Sequence, residues 1–222
     1  AVIKNGYIGV QAELLGNNFN EPKRLRITNT KIYNMSKWGL YGFGFNIYGG
    51  NNVISNCQEH CMNLSLGGNY TFIHCTISNF WEGEKSRDKP TLNINNYTAA
   101  QVLPLDTCLF LNCIIDGKFS NEISLDLNYS SPTYTPNFVF SNSWLKTTSN
   151  TSDPNKYVNS RTGSSLNYID PKNYNFELNN GESQVKNFIH SQATQGVLKF
   201  QYDIKTNARN TTSVIAGAYI VN

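Results

Sequence analysis

Charge is scarce in this sequence. Only 15% of its 222 residues are Asp, Glu, Lys or Arg, and the net charge is +3. That balance excludes the strong basic field with which a protein grips nucleic acid or an anionic membrane surface. No apolar run approaches the roughly 20 residues of a membrane span, so no membrane insertion is expected. Acidic residues form no cluster of the kind that holds calcium, and there are only three histidines and two methionines. The five cysteines are an odd number, which leaves at least one thiol outside any internal disulfide.

What the chain does have is Asn, Ser, Thr, Gly and Tyr, arranged in a repeat. The segment Ile27 to Asn34, ITNTKIYN, recurs in related form from Gly49, Phe72, Phe110 and Phe140, at intervals of 22, 23, 38 and 30 residues. Aligned, the repeats give columns of like residues: Leu25, Ile47, Tyr70, Cys108, Phe138; Ile27, Gly49, Phe72, Phe110, Phe140; Thr30, Asn52, Cys75, Cys113, Ser143; Ile32, Ile54, Ile77, Ile115, Leu145; and Asn34, Asn56, Asn79, Gly117, Thr147. Apolar positions alternate at period two, as strands require, and the phase shift before the third column predicts a bend near Asn29 and its equivalents. After each Ile-x-Asn comes another apolar strand, with Leu40, then Met62, Leu64 and Leu66, Leu92 and Ile94, and Ile123, Leu125 and Leu127 facing inward.

Short strands that place like residue on like residue in successive repeats define a parallel β-solenoid, its coils about 4.8 Å apart. The expected fold is therefore all-β, a right-handed parallel β-helix of about five to six coils over residues 1–148. Residues 149–222 should form a less regular segment that covers the last coil or flanks the stack. Val185, Phe188 and Ile189 suit a short helix in that tail, with His190 on its surface. Ile3-Lys4-Asn5 repeats the Ile-x-Asn pattern, so the chain is expected to begin partway through a coil and to be part of a longer one.

The stretch Asn56 to Cys75 holds three cysteines and two histidines. Zinc needs four donors converging at about 2.0–2.3 Å. The repeat instead sends Cys75 into an inward column with Cys113 and puts Cys108 in another. His74, next to Cys75 on the strand, points to the opposite face. Only Cys57, His60 and Cys61 lie close together near a turn. Buried, reduced cysteines acting as small apolar residues are the expectation, with a Cys57–Cys61 bridge left open; neither metal nor cofactor is predicted.

The columns from Ile3 to about Thr148, with a tail carrying Asp170-Pro171, Phe176-x-Leu178, Asp203, Arg209 and IAGAY (Ile215 to Tyr219), resemble the pectate-lyase-like parallel β-helix proteins of bacterial secreted or surface-attached type. The Ser-Pro-Ala-Ile-Asp that this group carries after Phe-x-Leu is missing here. The resemblance implies a secreted or cell-surface location and raises the prior for polysaccharide as the partner.

The longest interval between repeats is filled by Asn79 to Tyr97, and long loops on a rigid scaffold are common sites of function. Trp81 offers a ring for sugar stacking, Glu82, Arg87 and Asp88 offer charge, and Tyr97 a second ring. Asn63, Ser65, Asn93, Asn95, Ser124 and Asp126 should form a polar strip on the outward side of the neighbouring strands. The carbohydrate-binding candidates are thus Trp81, Glu82, Arg87, Asp88, Asn93, Tyr97 and Asp126. A solvated loop over an ordinary polar face is the plainer alternative. No catalytic constellation stands out. Two functions remain: a noncatalytic module that binds polysaccharide or serves as a structural or adhesive element, or a lyase or glycoside hydrolase acting on an acidic glycan.

Overall fold

The computed structural model describes residues 1–14, 24–180, 182, 184–186, 188 and 191–220. Its body is one parallel sheet that bends repeatedly into a solenoid. The strands in it are β1 (Val2–Glu13), β2 (Arg24–Thr28), β3 (Lys31–Gly50), β4 (Val53–Cys57), β5 (Met62–Ile73), β6 (Thr76–Asn79), β7 (Leu92–Asn95), β8 (Leu105–Leu111), β9 (Ile114–Gly117), β10 (Ile123–Asp126), β11 (Val139–Ser141), β12 (Trp144–Leu145), β13 (Tyr157–Val158) and β14 (Arg161–Thr162). Outside this sheet lie the antiparallel pair β15 (Tyr168–Asp170) and β16 (Asn175–Leu178) and one helix, α1 (Ser191–Lys199).

Three stacks of strands make the walls, and the register confirms the columns. In the first, Leu25 pairs with Ile47, Ile47 with Tyr70 and Tyr70 with Cys108, while Ile27, Gly49, Phe72, Phe110, Phe140 and Tyr157 form a continuous line. The second carries Ile3, Ile32, Ile54, Ile77, Ile115, Leu145 and Thr162. The third carries Val10, Leu40, Met62, Leu92 and Ile123, with Gly42, Leu64, Ile94 and Leu125 two residues on. The enclosed side chains form one core. The rings of Phe72, Phe110 and Phe140 stack at 5.2 Å intervals, and Tyr157 follows at 5.7 Å. Gly49 leaves room for this pile: a Cβ there would sit 2.5 Å from the Phe72 ring.

The expected bend is present in every repeat. Asn29, Asn51, His74, Asn112, Asn142 and Asn159 all have left-handed backbone, with φ of 50°, 53°, 52°, 55°, 50° and 48°. Asn tolerates that conformation better than other residues bearing a Cβ. The next residue points inward, and in four coils it accepts a backbone N–H from the coil before it: Thr30 N–H to Asn52 Oδ1 at 3.0 Å, Cys75 N–H to Cys113 Sγ at 3.4 Å, Cys113 N–H to Ser143 Oγ at 3.0 Å and Ser143 N–H to Ser160 Oγ at 3.2 Å. Cysteine sulfur thus takes the place of an amide or hydroxyl oxygen in a ladder that would otherwise leave buried N–H groups unpaired. All five cysteines are free and buried, Cys57 and Cys61 included.

Beyond β12, the short strands β13 and β14 continue two of the columns. The remaining C-terminal segment flanks the stack. Leu166, Tyr168, Phe176, Leu178, Val185, Phe188, Ala193, Val197, Val214, Ala216, Ala218 and Tyr219 pack with Val53, Ile114 and Trp144 on the outer side of the second wall. The tail's signature residues fasten it. Asp170 caps the short 3-10 turn at Pro171–Asn173, and Asp203 accepts the N–H groups of Lys205, Asn207 and Ile220. The described helix spans Ser191–Lys199 and does not include Val185 or Phe188; Ile189 and His190 lie outside the described residues.

Candidate functional site

The sequence candidates fall in three places. Trp81 belongs to the loop between β6 and β7, and its indole N–H donates to the Lys85 carbonyl of the same loop at 2.8 Å. The ring lies against Gly83, where a Cβ would come within 2.2 Å of it. Glu82 is exposed and bridges Lys118 to Lys172, 3.0 Å from the latter. These bonds, from Lys118 first and Lys172 second, hold its carboxyl below the ordinary range. Asp88 is exposed and 3.6 Å from Lys89.

Arg87 turns inward. Its Nη1 and Nη2 donate to Glu122 Oε2 and Oε1 at 2.7 and 2.6 Å, and the guanidinium lies 3.9 Å over the Phe119 ring. Glu122 also accepts the N–H and hydroxyl of Thr91 and the N–H of Phe119. Such a bidentate, saturated pair is a strut that closes the loop onto the coil. Its charge is spent inside the protein.

Asn93, Tyr97 and Asp126 do come together, on the outward side of the third wall. One column runs across five strands there, Gln11, Tyr41, Asn63, Asn93, Ser124; beside it Glu13, Phe43 and Ser65 pair in line, as do Asn95 and Asp126, and extending the Leu64–Ile94 register by one residue joins the two runs into a second column. At about 4.8 Å per strand the face is about 19 Å long. Side-chain bonds tie its middle: Asn63 Oδ1 accepts from Asn93 Nδ2 and from Ser65 Oγ, both at 2.9 Å. Tyr97 donates its hydroxyl to Asp126 at 2.9 Å, and that bond raises the phenol's pKa.

The other end of this face is aromatic. Trp38 and Tyr41 have ring centres 4.3 Å apart, and Tyr41 and Phe43 6.0 Å apart. Trp38 donates its indole N–H to Glu59 at 2.8 Å, and the Lys37 ammonium sits 4.1 Å above its ring. Burial, and secondarily the Glu13 charge, push the Tyr41 phenol up to about 12. It is therefore a neutral hydrogen-bonding platform at any physiological pH. Of this segment, only Leu40 is placed by the sequence analysis, on the inward side. The signal was there: Tyr41 and Phe43 alternate with inward Leu40 and Gly42, so both must face out.

Glu13 and Asp126 stand at opposite ends of one column, four strands apart. That is about 19 Å, well outside the roughly 5–9.5 Å that pairs carboxylates for glycoside hydrolysis. Neither column contains Lys or Arg. Among the described residues no three His, Cys, Asp or Glu side chains are placed to hold a metal ion, and no helix is long and apolar enough to cross a membrane. At the bend that ends the face, Leu14, Phe45, Leu66, Leu103 and Pro104 wall a cleft of about 460 Å³, with Asn46, Asn69 and Asp106 at its rim. No family model, no curated protein and no solved structure matches the chain.

Proposed function

We propose that this chain is a secreted or cell-surface right-handed parallel β-helix of the pectate-lyase-like kind, with five to six coils, that binds an uncharged polysaccharide without cleaving it. The observation that carries the reading is the continuous outward face on which rings and amides stand side by side. Trp38, Tyr41 and Phe43 offer flat apolar surfaces to the C–H faces of sugar rings. Asn93, Asn95 and the Tyr97–Asp126 pair offer donors and acceptors to hydroxyls, with buried Asn63 holding Asn93 and Ser65 in place. The two carboxylates and the lack of Lys and Arg in both columns speak for a neutral chain over a uronate or sulfate polymer.

The test is calorimetric titration of β-glucan, mannan, xylan and polygalacturonate fragments, with release of reducing ends and unsaturated products followed in parallel. Saturable binding of one neutral polymer without turnover is the expected result. Turnover, or tighter binding of polygalacturonate, would replace the reading with the lyase or hydrolase alternative; no binding of any polymer would leave a structural or adhesive role.

A further inference from the structure

The outer side of the first wall carries a second group of side chains, apart from the outward face of the third. Arg26 and Tyr48 pair across β2 and β3, and the guanidinium lies 5.3 Å over the Tyr48 ring. That ring stacks in turn on Phe200 of the C-terminal segment, with 6.4 Å between centres. Phe200 is seated on Gly50, where a Cβ would come within 1.8 Å of it. Arg26 thus stands on a packed floor. Between it and the C-terminal segment opens a cleft of about 710 Å³, lined also by Thr28, Asn29, Lys199, Gln201 and Tyr202.

The lining is rich in donors that the protein leaves unused. Among the described residues, no hydrogen bond or ion pair engages the Arg26 guanidinium, the Lys199 ammonium, the Thr28 hydroxyl, the Asn29 amide N–H groups or the Gln201 amide. Asp203, the acid of this lining, is 3% exposed and gives its oxygens to the N–H groups of Lys205, Asn207 and Ile220 and to the Asn207 side chain. Asn51 is spent as well, donating to Asn29 Oδ1 at 3.2 Å and accepting from Arg209 Nη2 at 2.8 Å. The Tyr202 ring, by contrast, is 57% exposed.

A phosphate monoester carries about −1.5 to −2 at pH 7, a match for Arg26 and Lys199 together. A guanidinium also grips its oxygens two at a time. The cleft is larger than a phosphate group, so the carrier of the ester fits too. Hydroxyl and amide groups beside an open ring suit a sugar, whose hydroxyls need partners and whose C–H face needs a flat surface. We propose that this cleft binds a phosphorylated sugar, with the phosphate on Arg26 and Lys199, the hydroxyls on Thr28, Asn29 and Gln201, and the ring on Tyr202. The site lies on a different wall from the polysaccharide face and does not depend on that reading.

The experiment is calorimetric titration of the whole chain at fixed ionic strength, with glucose 1-phosphate, glucose 6-phosphate, inorganic phosphate and glucose as probes. At least one sugar phosphate should bind saturably, inorganic phosphate about tenfold more weakly, and glucose not at all. Arg26→Gln should weaken the sugar phosphate by about tenfold or more. Tyr202→Ala should bring it down to the affinity of inorganic phosphate and leave inorganic phosphate itself unchanged. Both side chains are exposed, so both variants should keep the parent's Tm, which is measured first. No binding of either sugar phosphate, equal binding of inorganic phosphate, or an affinity untouched by Arg26→Gln overturns the site.

Discussion

Arg87 and Glu122 face each other inside the protein with both guanidinium Nη atoms on both carboxylate oxygens, at 2.6 and 2.7 Å. Removing one partner leaves the other charge buried alone. Arg87→Ala should therefore cost about 3–5 kcal/mol, read from urea unfolding. Glycan affinity of the protein that remains folded should be unchanged. A variant of native stability with lost affinity would return Arg87 to the binding surface.

Tyr41 stands between Trp38 and Phe43 and borders Asn63 across the strand pair. If this face grips sugar rings, Tyr41→Ala should weaken glycan binding at least tenfold, about 1.4 kcal/mol. Trp81→Ala, on a loop that closes on itself, should weaken it far less. Titration calorimetry of both variants separates the two surfaces; equal losses would mean that the loop and the face act together.

His74 occupies a corner position that is Asn in the five neighbouring repeats. Its pKa lies well below 6.5, through burial first and then Arg209. The unfolded chain takes up a proton as pH falls through 6.5 while the folded one does not. The His74 contribution is thus present above that pH and is lost on acidification, by about 1.4 kcal/mol per unit. His74→Asn should fold, since Asn suits φ near +50°, and should gain on the parent protein as pH drops from 7 to 5. A constant stability difference over that range would show that His74 protonates freely.

Asp116 works in the opposite direction. Burial pushes it up to about 6 from 3.8, although the N–H groups of Leu166 and Gly117 donate to it. Between those two values the folded protein holds more protons than the unfolded one, so this group's contribution rises as pH falls through the window. The full span is about 3 kcal/mol. Comparing the parent with Asp116→Asn across pH 7 to 4 isolates it. Parallel stability curves would mean an ordinary carboxyl.

The solenoid was legible because its physics is written once per coil. Ile32, Ile54, Ile77 and Ile115 announce a wall by recurring, and the phase slip at Asn29 announces a corner. The outward face proposed for binding was half legible. Asn63, Asn93 and Asp126 follow from strand alternation, but around Trp38, Tyr41 and Phe43 the glycines at 39, 42 and 44 blur the alternation of apolar and polar residues. Arg87 could not be placed from sequence, because its partner Glu122 lies 35 residues on, in the next coil. Charge in a loop looks the same in sequence whether it faces water or folds back under the chain. Arg209 and Asn51 are farther apart still, at 158 residues, and nothing periodic links them.

The two outward columns have an evolutionary corollary. Each strand adds one rung, and the pairing partner of every rung is set by backbone register, whatever the side chain on it. Duplicating one turn would therefore lengthen the platform by a single rung and leave the existing ones untouched. A lineage built this way can set the length of its outward face by copying a turn, and then change one rung's chemistry at a time.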